Sequence, residues 1–131
     1  MELVLYTDGA SKGNPGPAGI GYVILGADGQ ELAAVGQGIG VATNNVAEYT
    51  AVIEGLAHCR RLGATRVQVV SDSELMVRQM TGRYQVKNAG LRPLYDQAQA
   101  ARGAFEQVRF RHVLRGENTR ADGLASSAIV R

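Results

Sequence analysis

The first third of the chain alternates between apolar runs and clusters of glycine and small polar residues. Residues 2–8 form an apolar run that ends on the carboxylate of Asp8, and further runs follow at residues 19–25 and 31–41. An Asp28-Gly29 pair, which is a turn signal, separates the second run from the third. The pattern predicts three antiparallel strands joined by tight turns.

The rest of the chain carries apolar positions at helical spacing, interrupted by two short strand-like runs. Apolar residues from Tyr49 to Leu56 recur at this spacing, after a capping-box pattern that begins at Asn45 and before a stop signal at Gly63. The remaining predicted elements are a strand at residues 67–70, a helix capped by Ser71 and running to Met80, a helix from Pro93 to Ala101, a strand at 108–113 and a helix capped by Asn118 or Thr119 and carrying apolar residues to Ile129.

These elements follow one another in the order βββαβααβα, with five strands. The strand–helix–strand unit in the middle implies a right-handed crossover, which pairs the first and fourth strands in parallel. The predicted fold is therefore α/β, with a five-stranded mixed sheet and helices against both faces.

Composition and charge narrow the class of protein without naming a function. The 131 residues suit a single domain over 1–131, and the 14 basic and 12 acidic residues are a mild bias that permits a nucleic-acid partner without requiring one. One cysteine, Cys59, rules out an internal disulfide and favours a reducing, cytoplasmic compartment. We expect no signal peptide and no membrane span, and the lack of linkers favours a monomer.

Four acidic residues stand where the predicted topology brings them together. Asp8 and Asp72 each follow an apolar run and a hydroxyl residue, so parallel strands would place both at one sheet edge. Glu48 and Asp122 lie near the starts of predicted helices. Taken singly, helix-dipole or turn chemistry explains each of them. As a group they would repel unless a cation neutralises them, and carboxylate oxygens suit Mg²⁺ or Mn²⁺.

Four stretches of the chain resemble the motifs of the type 1 ribonuclease H family in order and spacing. They are TDGASKGNPGP at residues 7–17, TNNVAE at 43–48, SDS at 71–73 and NTRADGLA at 118–125. Each motif alone is weak, but four in sequence are specific and cover essentially the whole chain. The resemblance implies a ribonuclease H-like sheet and hydrolysis of the RNA strand of RNA–DNA hybrids.

By this resemblance, Asp8, Glu48, Asp72 and Asp122 are the catalytic, metal-binding acids. The family chemistry implies two cations per site, Mg²⁺ with Mn²⁺ as a possibility, about 4 Å apart, which activate a water and stabilise the leaving 3′ oxygen. The expected products carry 5′-phosphate and 3′-hydroxyl ends. Glu48 is also expected to meet a 2′-hydroxyl, which distinguishes RNA from DNA.

The polar residues around the acids also match family positions that contact the hybrid. Asn14, Thr43, Asn44 and Asn45 belong to this set, with Thr43 and Asn14 expected to hold a DNA-strand phosphate. The backbone from Gly9 to Ser11 is expected to let the RNA strand approach. The alternative explanation for the asparagines and Thr43 is ordinary turn and cap chemistry.

The chain departs from many family members in two places. Residues 82–93 are short and lack the basic, aromatic-rich excursion that helps to grip the hybrid, so we expect weaker and more salt-sensitive binding or reliance on a partner. In addition, Arg115 stands in the loop where many members have a mobile histidine. His112 falls inside a predicted strand and is expected to be structural, whereas Arg115 is a candidate for holding the scissile phosphate or aiding product release.

Two other functions are compatible with this fold. A non-catalytic hybrid-binding module would bind without cleavage, and the presence of all four acids argues against it. Another nuclease, such as a junction resolvase or an exonuclease, would cleave substrates that lack ribose. Cleavage assays on hybrid, RNA duplex and DNA duplex separate the three possibilities.

Overall fold

The computed structural model describes residues 1–130. Its strands are β1 (Glu2–Ser11), β2 (Gly16–Leu25), β3 (Glu31–Ala42), β4 (Arg66–Ser71) and β5 (Gln107–His112). Its helices are α1 (Asn44–Arg61), α2 (Glu74–Met80), α3 (Arg92–Arg102) and α4 (Thr119–Ser127), with a short 3₁₀ turn at Arg115–Glu117. The order of elements confirms the predicted βββαβααβα arrangement.

The strands form one mixed sheet in the order β3-β2-β1-β4-β5. β1 pairs antiparallel with β2 and parallel with β4, and β4 pairs parallel with β5. The crossover through α1 therefore places the carboxyl ends of β1 and β4 side by side, with Thr7 opposite Ser71. This register brings the residues that follow, Asp8 and Asp72, to the same edge of the sheet.

Helices cover both faces of the sheet, as predicted. The main core lies on one face, where Leu5 and Val69 of the sheet are buried in the same cluster as Val52 and Leu56 of α1. Burying side chains of this size stabilises the fold by roughly 1.5–3 kcal/mol each. Helix α4 lies on the opposite face, against β1, β2 and β3. Among residues 1–130, no helix combines the length and apolar character that crossing a membrane would require.

Helix α4 lies close to the sheet because the strand positions beneath it are glycines. A Cβ atom added at Gly19 or Gly21 of β2, or at Gly36 or Gly38 of β3, would overlap backbone atoms at or just beyond α4. Only glycine permits this approach at these four positions. The glycines in this part of the sequence thus serve helix docking, and the docked helix brings Asp122 towards Asp8.

The first hairpin is longer than the predicted strand bounds. β1 continues three residues past Asp8, and β2 begins at Gly16 instead of residue 19. The antiparallel ladder runs on to the pair Ser11 and Ala18, and Lys12 N–H donates to the Pro17 carbonyl at 2.8 Å. The prediction that β1 ends at Asp8 was wrong because backbone pairing, which requires no apolar side chain, extends the strand through small polar residues.

Two predicted helix caps were wrong, each by two residues, whereas the cap predicted at Asn118 or Thr119 falls on Asn118. Thr43, not Asn45, caps α1 by accepting from Val46 N–H at 3.1 Å, and Ser73, not Ser71, caps α2. At α4, Asn118 occupies the cap position, but its side chain makes no capping bond, and the helix ends at Ser127. As a result, Glu48 lies beyond the first turn of α1, whereas Asp122 does lie in the first turn of α4.

Candidate active site

Three of the four predicted acids converge at the carboxyl ends of β1 and β4. Asp8, Glu48 and Asp72 each offer a carboxylate oxygen, and these oxygens lie within 4.8 Å of one another. Asp122 is not in this group, but its side chain lies within hydrogen-bonding reach of Asp8. The structure therefore brings the other three acids close to Asp8, as the order of the strands led us to expect.

Glu48 reaches this point because α1 packs directly against β1. A Cβ atom at Gly9 would overlap backbone atoms of Ala47 and Glu48, so the glycine permits this close contact. The backbone N–H of Gly9 lies close enough to the Glu48 carboxylate to lower its pKa. In this structure the glycine after Asp8 accommodates the helix that delivers the second acid.

The acids are buried at a high electrostatic cost. Asp8 is 3% exposed and Glu48 is 8% exposed, and among the described residues Oδ2 of Asp8 and Oε2 of Glu48 are buried without a hydrogen-bond partner. Burial, followed by repulsion from Glu48, a hydrogen bond to Asp122 and repulsion from Asp72, raises the pKa of Asp8 to about 10. Burial likewise raises the pKa of Glu48 to about 7, although hydrogen bonds to Asp8 and Gly9 and the charge of Arg115 act in the opposite direction.

These features fit a divalent cation. Unpartnered, buried carboxylate oxygens are the donors that hard cations prefer, and a bound cation removes the repulsion that opposes ionisation of Asp8 and Glu48. The group contains neither cysteine nor histidine, so nothing in it favours a softer metal.

A network of polar residues braces one rim of the site. The Asn44 Oδ1 atom accepts from both the backbone N–H and the hydroxyl of Ser11, at 3.1 and 2.8 Å. Asn14 Oδ1 in turn accepts from Asn44 N–H at 3.0 Å. The network ties the β1–β2 loop to the start of α1, so the rim is organised before any ligand arrives.

An open cleft of about 480 Å³ connects the acids to this rim. Its lining residues are Asp8, Gly9, Ala10, Ser11, Asn44, Asn45, Glu48, Asp72, Ser73 and Arg115. Asn14, Thr43 and Asp122 do not line the cleft. Asn14 supports the rim by accepting a hydrogen bond from Asn44 N–H, and Thr43 supports it by capping α1. Sequence reasoning assigned no role in the site to Ser73, although it lies inside the matched SDS motif.

Arg115 lies on the far side of the cleft from the rim. Its side chain is 82% exposed, and its Nε atom is 4.0 Å from Oδ2 of Asp72. It begins the 3₁₀ turn that follows β5, while His112 ends β5 within the strand, as predicted. Arg115 is therefore a cation that lies next to the acids in this fold.

Sequence and structure comparisons place this site among known relatives. The profile of the reverse transcriptase-like family matches residues 6–128. The chain is 49% identical over 130 residues to the bifunctional protein Rv2228c of Mycobacterium tuberculosis, covering 98% of this chain but 36% of that protein. It thus spans about a third of the length of the first curated relatives that it matches.

Two further relatives are matched over nearly their whole length. The ribonuclease H of Roseobacter denitrificans is 34% identical over 145 residues, with 98% of this chain and 95% of that protein covered. The structure of LC11-RNase H1 in complex with an RNA/DNA hybrid is 41% identical, with a TM-score of 0.92 over 97% of this chain and 96% of that one. With three acids lining one cleft, Asp122 beside Asp8, and similarity of this extent, the chain belongs to the reverse transcriptase-like family and, within it, to the type 1 ribonucleases H.

Proposed function

We propose that this chain is a metal-dependent endoribonuclease that hydrolyses the RNA strand of RNA–DNA hybrids. The observation that carries the proposal is the cluster of Asp8, Glu48 and Asp72, with Asp122 beside it, in a cleft open to a long ligand. Its membership of the type 1 ribonucleases H supports the reaction, and the hybrid bound to LC11-RNase H1 supports the substrate.

In this proposal, Asp8, Glu48, Asp72 and Asp122 hold two Mg²⁺ ions, or Mn²⁺ in their place. When bound, the cations supply Lewis acidity at the scissile phosphate and offset the charge that develops there. Asp8 would be the central ligand of the set, because the side chains of both Glu48 and Asp122 approach its carboxylate. The expected products carry 5′-phosphate and 3′-hydroxyl ends.

The polar rim would orient the hybrid. Asn44 and Asn45 line the cleft and present amide groups suited to minor-groove edges, and Ser11 lies beside them. Asn14 and Thr43 keep their proposed role at a DNA-strand phosphate in addition to the contacts that brace the rim.

The cleft also offers a means of telling RNA from DNA. Glu48 lines the cleft beside the residues of the rim. Its carboxylate could accept a hydrogen bond from a ribose 2′-hydroxyl, which DNA lacks. Gly9 lines the same cleft next to Asp8, so its backbone would meet the RNA strand there, while α1 fills the space that a Cβ atom at Gly9 would take.

Arg115 would act on the opposite side of the cleft as a permanently charged group. Its guanidinium stays charged at any working pH, so it can hold the scissile phosphate or aid product release, but it cannot exchange protons as a histidine does. Its exposure leaves it free to move from Asp72 to a phosphate when substrate binds.

The single-domain assignment and the monomeric state stay predictions. Residue 131, the end of the predicted domain, lies outside the described residues. Light scattering coupled to size-exclusion chromatography measures the mass in solution, and a mass of twice the 13.9 kDa expected for the chain would contradict a monomer.

One assay tests the proposed function. Labelled RNA–DNA hybrid, RNA duplex and DNA duplex are each incubated with the protein and Mg²⁺, Mn²⁺ or EDTA, and products are resolved by size and end chemistry. We expect internal cleavage of the RNA strand of the hybrid only when metal is present. Cleavage of DNA duplex, cleavage in EDTA, or binding of hybrid without cleavage would each contradict the proposal.

A further inference from the structure

Asn118 is a buried polar residue in an unexpected arrangement. It stands at the cap position of α4 and is 2% exposed, yet its side chain makes no capping hydrogen bond. Instead, its Nδ2 atom donates to the backbone carbonyl of Thr7 at 2.8 Å, across 111 positions of sequence. An asparagine that starts a helix normally accepts from that helix, so this side chain serves a different contact.

The contact joins the two chain segments that carry Asp8 and Asp122. Thr7 immediately precedes Asp8, and the backbone carbonyl of Asn118 accepts from Asp122 N–H at 3.1 Å in the first turn of α4. One residue is therefore bonded to the strand on one side of the site and to the helical turn on the other. The path between the two acids through Asn118 consists of one side-chain bond and one backbone bond.

The arrangement is not the one that stability alone would favour. The Oδ1 atom of Asn118 is buried and has no hydrogen-bond partner among the described residues. The first turn of α4 also forgoes the side-chain cap that asparagine could provide. A buried, half-satisfied amide and an uncapped helix both reduce stability, so the bond to Thr7 serves a purpose beyond folding.

The glycines beneath α4 leave the position of this helix to be fixed by other contacts. Gly19 and Gly21 allow the helix to lie close to β2, but they carry no side chains that interlock with it. Glycines therefore set the depth at which α4 docks but contribute no side chain that fixes its position along its own axis. The Asn118 amide, at the end of α4 nearest the acids, makes a directional bond that does.

We propose that Asn118 is a positioning residue that sets the separation between the carboxylates of Asp8 and Asp122 and so tunes the affinity of the site for divalent cations. The inference rests on the proposed metal-dependent function. Asn118 acts through its neighbours and is not itself a metal ligand. Groups that orient ligands in this way commonly influence metal affinity as strongly as 10- to 100-fold.

The test compares Asn118→Ala and Asn118→Ser with Leu124→Ala. Leu124 is half-buried in α4, so its truncation removes apolar side-chain packing from the same helix, and its contacts with Gly21 and Gly36 persist because they are made by backbone and Cβ atoms. Asn118→Ser retains a side-chain oxygen that can cap α4, which protects folding, but it is too short to reach Thr7. Metal binding is read without substrate, as the rise in thermal unfolding midpoint on titration with Mn²⁺ alone, and hybrid cleavage gives KM and kcat.

We expect both Asn118 variants to need about tenfold more Mn²⁺ for half of the stabilisation, with KM for hybrid unchanged and kcat partly restored at high metal. Leu124→Ala should unfold at a lower temperature but keep the wild-type Mn²⁺ midpoint. An unchanged midpoint in the Asn118 variants, an equal change in Leu124→Ala, or failure of both Asn118 variants to fold would overturn the proposal. If wild-type protein binds Mn²⁺ but does not cleave hybrid, the proposed function fails and not the positioning role.

Discussion

The two sides of the cleft are built in opposite ways. On the acid side, Asp8 and Glu48 are almost wholly buried and come from β1 and α1, which contribute to the central core. On the other side, Arg115 is 82% exposed on a short 3₁₀ turn, and its Nε atom lies 4.0 Å from Oδ2 of Asp72. The two acids are therefore held by the packing of the core, whereas Arg115 is held by a surface turn.

This difference in burial shows which part of the chemistry depends on the packing of the fold. Buried carboxylates cannot move apart to relieve their repulsion, so they are held ready for a cation at the expense of stability. An exposed arginine gives up no such stability and can follow a phosphate as it arrives and leaves. Substitutions on the acid side should therefore change both activity and stability, and substitutions of Arg115 should change activity alone.

The largest effect is expected for Asp8→Asn. Removal of the central charge should lower cleavage of hybrid by about 10³-fold or more, because the remaining acids no longer hold the cations in place. The same change relieves repulsion, so the metal-free protein should gain roughly 1–3 kcal/mol in free energy of unfolding. Cleavage with Mg²⁺ and urea unfolding in EDTA measure the two effects.

Asp96→Asn is the matched control for this variant. Asp96 lies on α3 in an exposed ion pair with Arg92, and the same chemical change there should leave both quantities close to the wild-type values. An Asp8→Asn protein that loses stability in EDTA would show that the carboxylate stabilises the metal-free fold, contrary to the electrostatic argument.

An intermediate effect is expected for Arg115→Ala. Loss of the fixed cation should reduce kcat by about 10- to 100-fold, because one charge-stabilising donor is removed from the reacting phosphate. Free energy of unfolding should stay within about 0.5 kcal/mol of wild type, since the side chain is exposed. Steady-state kinetics and urea unfolding provide the two measurements.

Arg60→Ala removes the same charge at the far end of α1 and should leave kcat unchanged. Arg115→Lys keeps the charge but not the planar fork, so an intermediate kcat would point to phosphate geometry. If Arg115→Ala turns over hybrid at the wild-type rate, Arg115 has no part in the site.

The smallest effect is a pH dependence of stability without metal. Because the pKa of Asp8 is raised from 3.8 to about 10 and that of Glu48 from 4.5 to about 7, the folded chain binds more protons than the unfolded chain between about pH 4 and 10. The free energy of unfolding in EDTA should therefore fall as the pH rises through this window, by roughly 1 kcal/mol for each pH unit.

Urea unfolding in EDTA at pH 5, 7 and 9 measures this slope. Asp8→Asn removes the group with the larger shift, so its stability should depend less steeply on pH than that of the wild type. Saturating Mn²⁺ should also flatten the wild-type curve, since a bound cation favours the ionised acids. A wild-type stability in EDTA that rises towards pH 9 would show that burial and repulsion do not raise the pKa values of Asp8 and Glu48 in the folded chain.

The convergence of Asp8 and Asp72 could be predicted from the sequence because it depends on a general rule. Both acids follow short apolar runs, and a right-handed crossover between parallel strands aligns the ends of those runs. Glu48 and Asp122 were candidates for the same site because the predicted topology starts their helices near this edge, and the motif resemblance then implied a catalytic role that helix-dipole chemistry alone does not require.

The cap of α1 shows why other details could not be predicted. Thr43, Asn44 and Asn45 are all acceptable caps, and the local pattern favoured Asn45. In the structure, Asn44 is engaged by Ser11, which lies 33 positions earlier, and Thr43 takes the cap. A contact of this range decides among local alternatives that are similar in energy.

The sequence by itself determined the order of the elements, the mixed sheet and the candidates for the acidic cluster, because apolar periodicity and strand connection act between near neighbours or follow general rules. The tertiary structure alone decided how deeply Asp8 and Glu48 are buried, how closely α4 approaches the glycines beneath it, and that Asn118 bonds to Thr7. These properties arise where segments distant in sequence pack together, and the resulting loss of solvent turns an ordinary set of carboxylates into a site poised for metal.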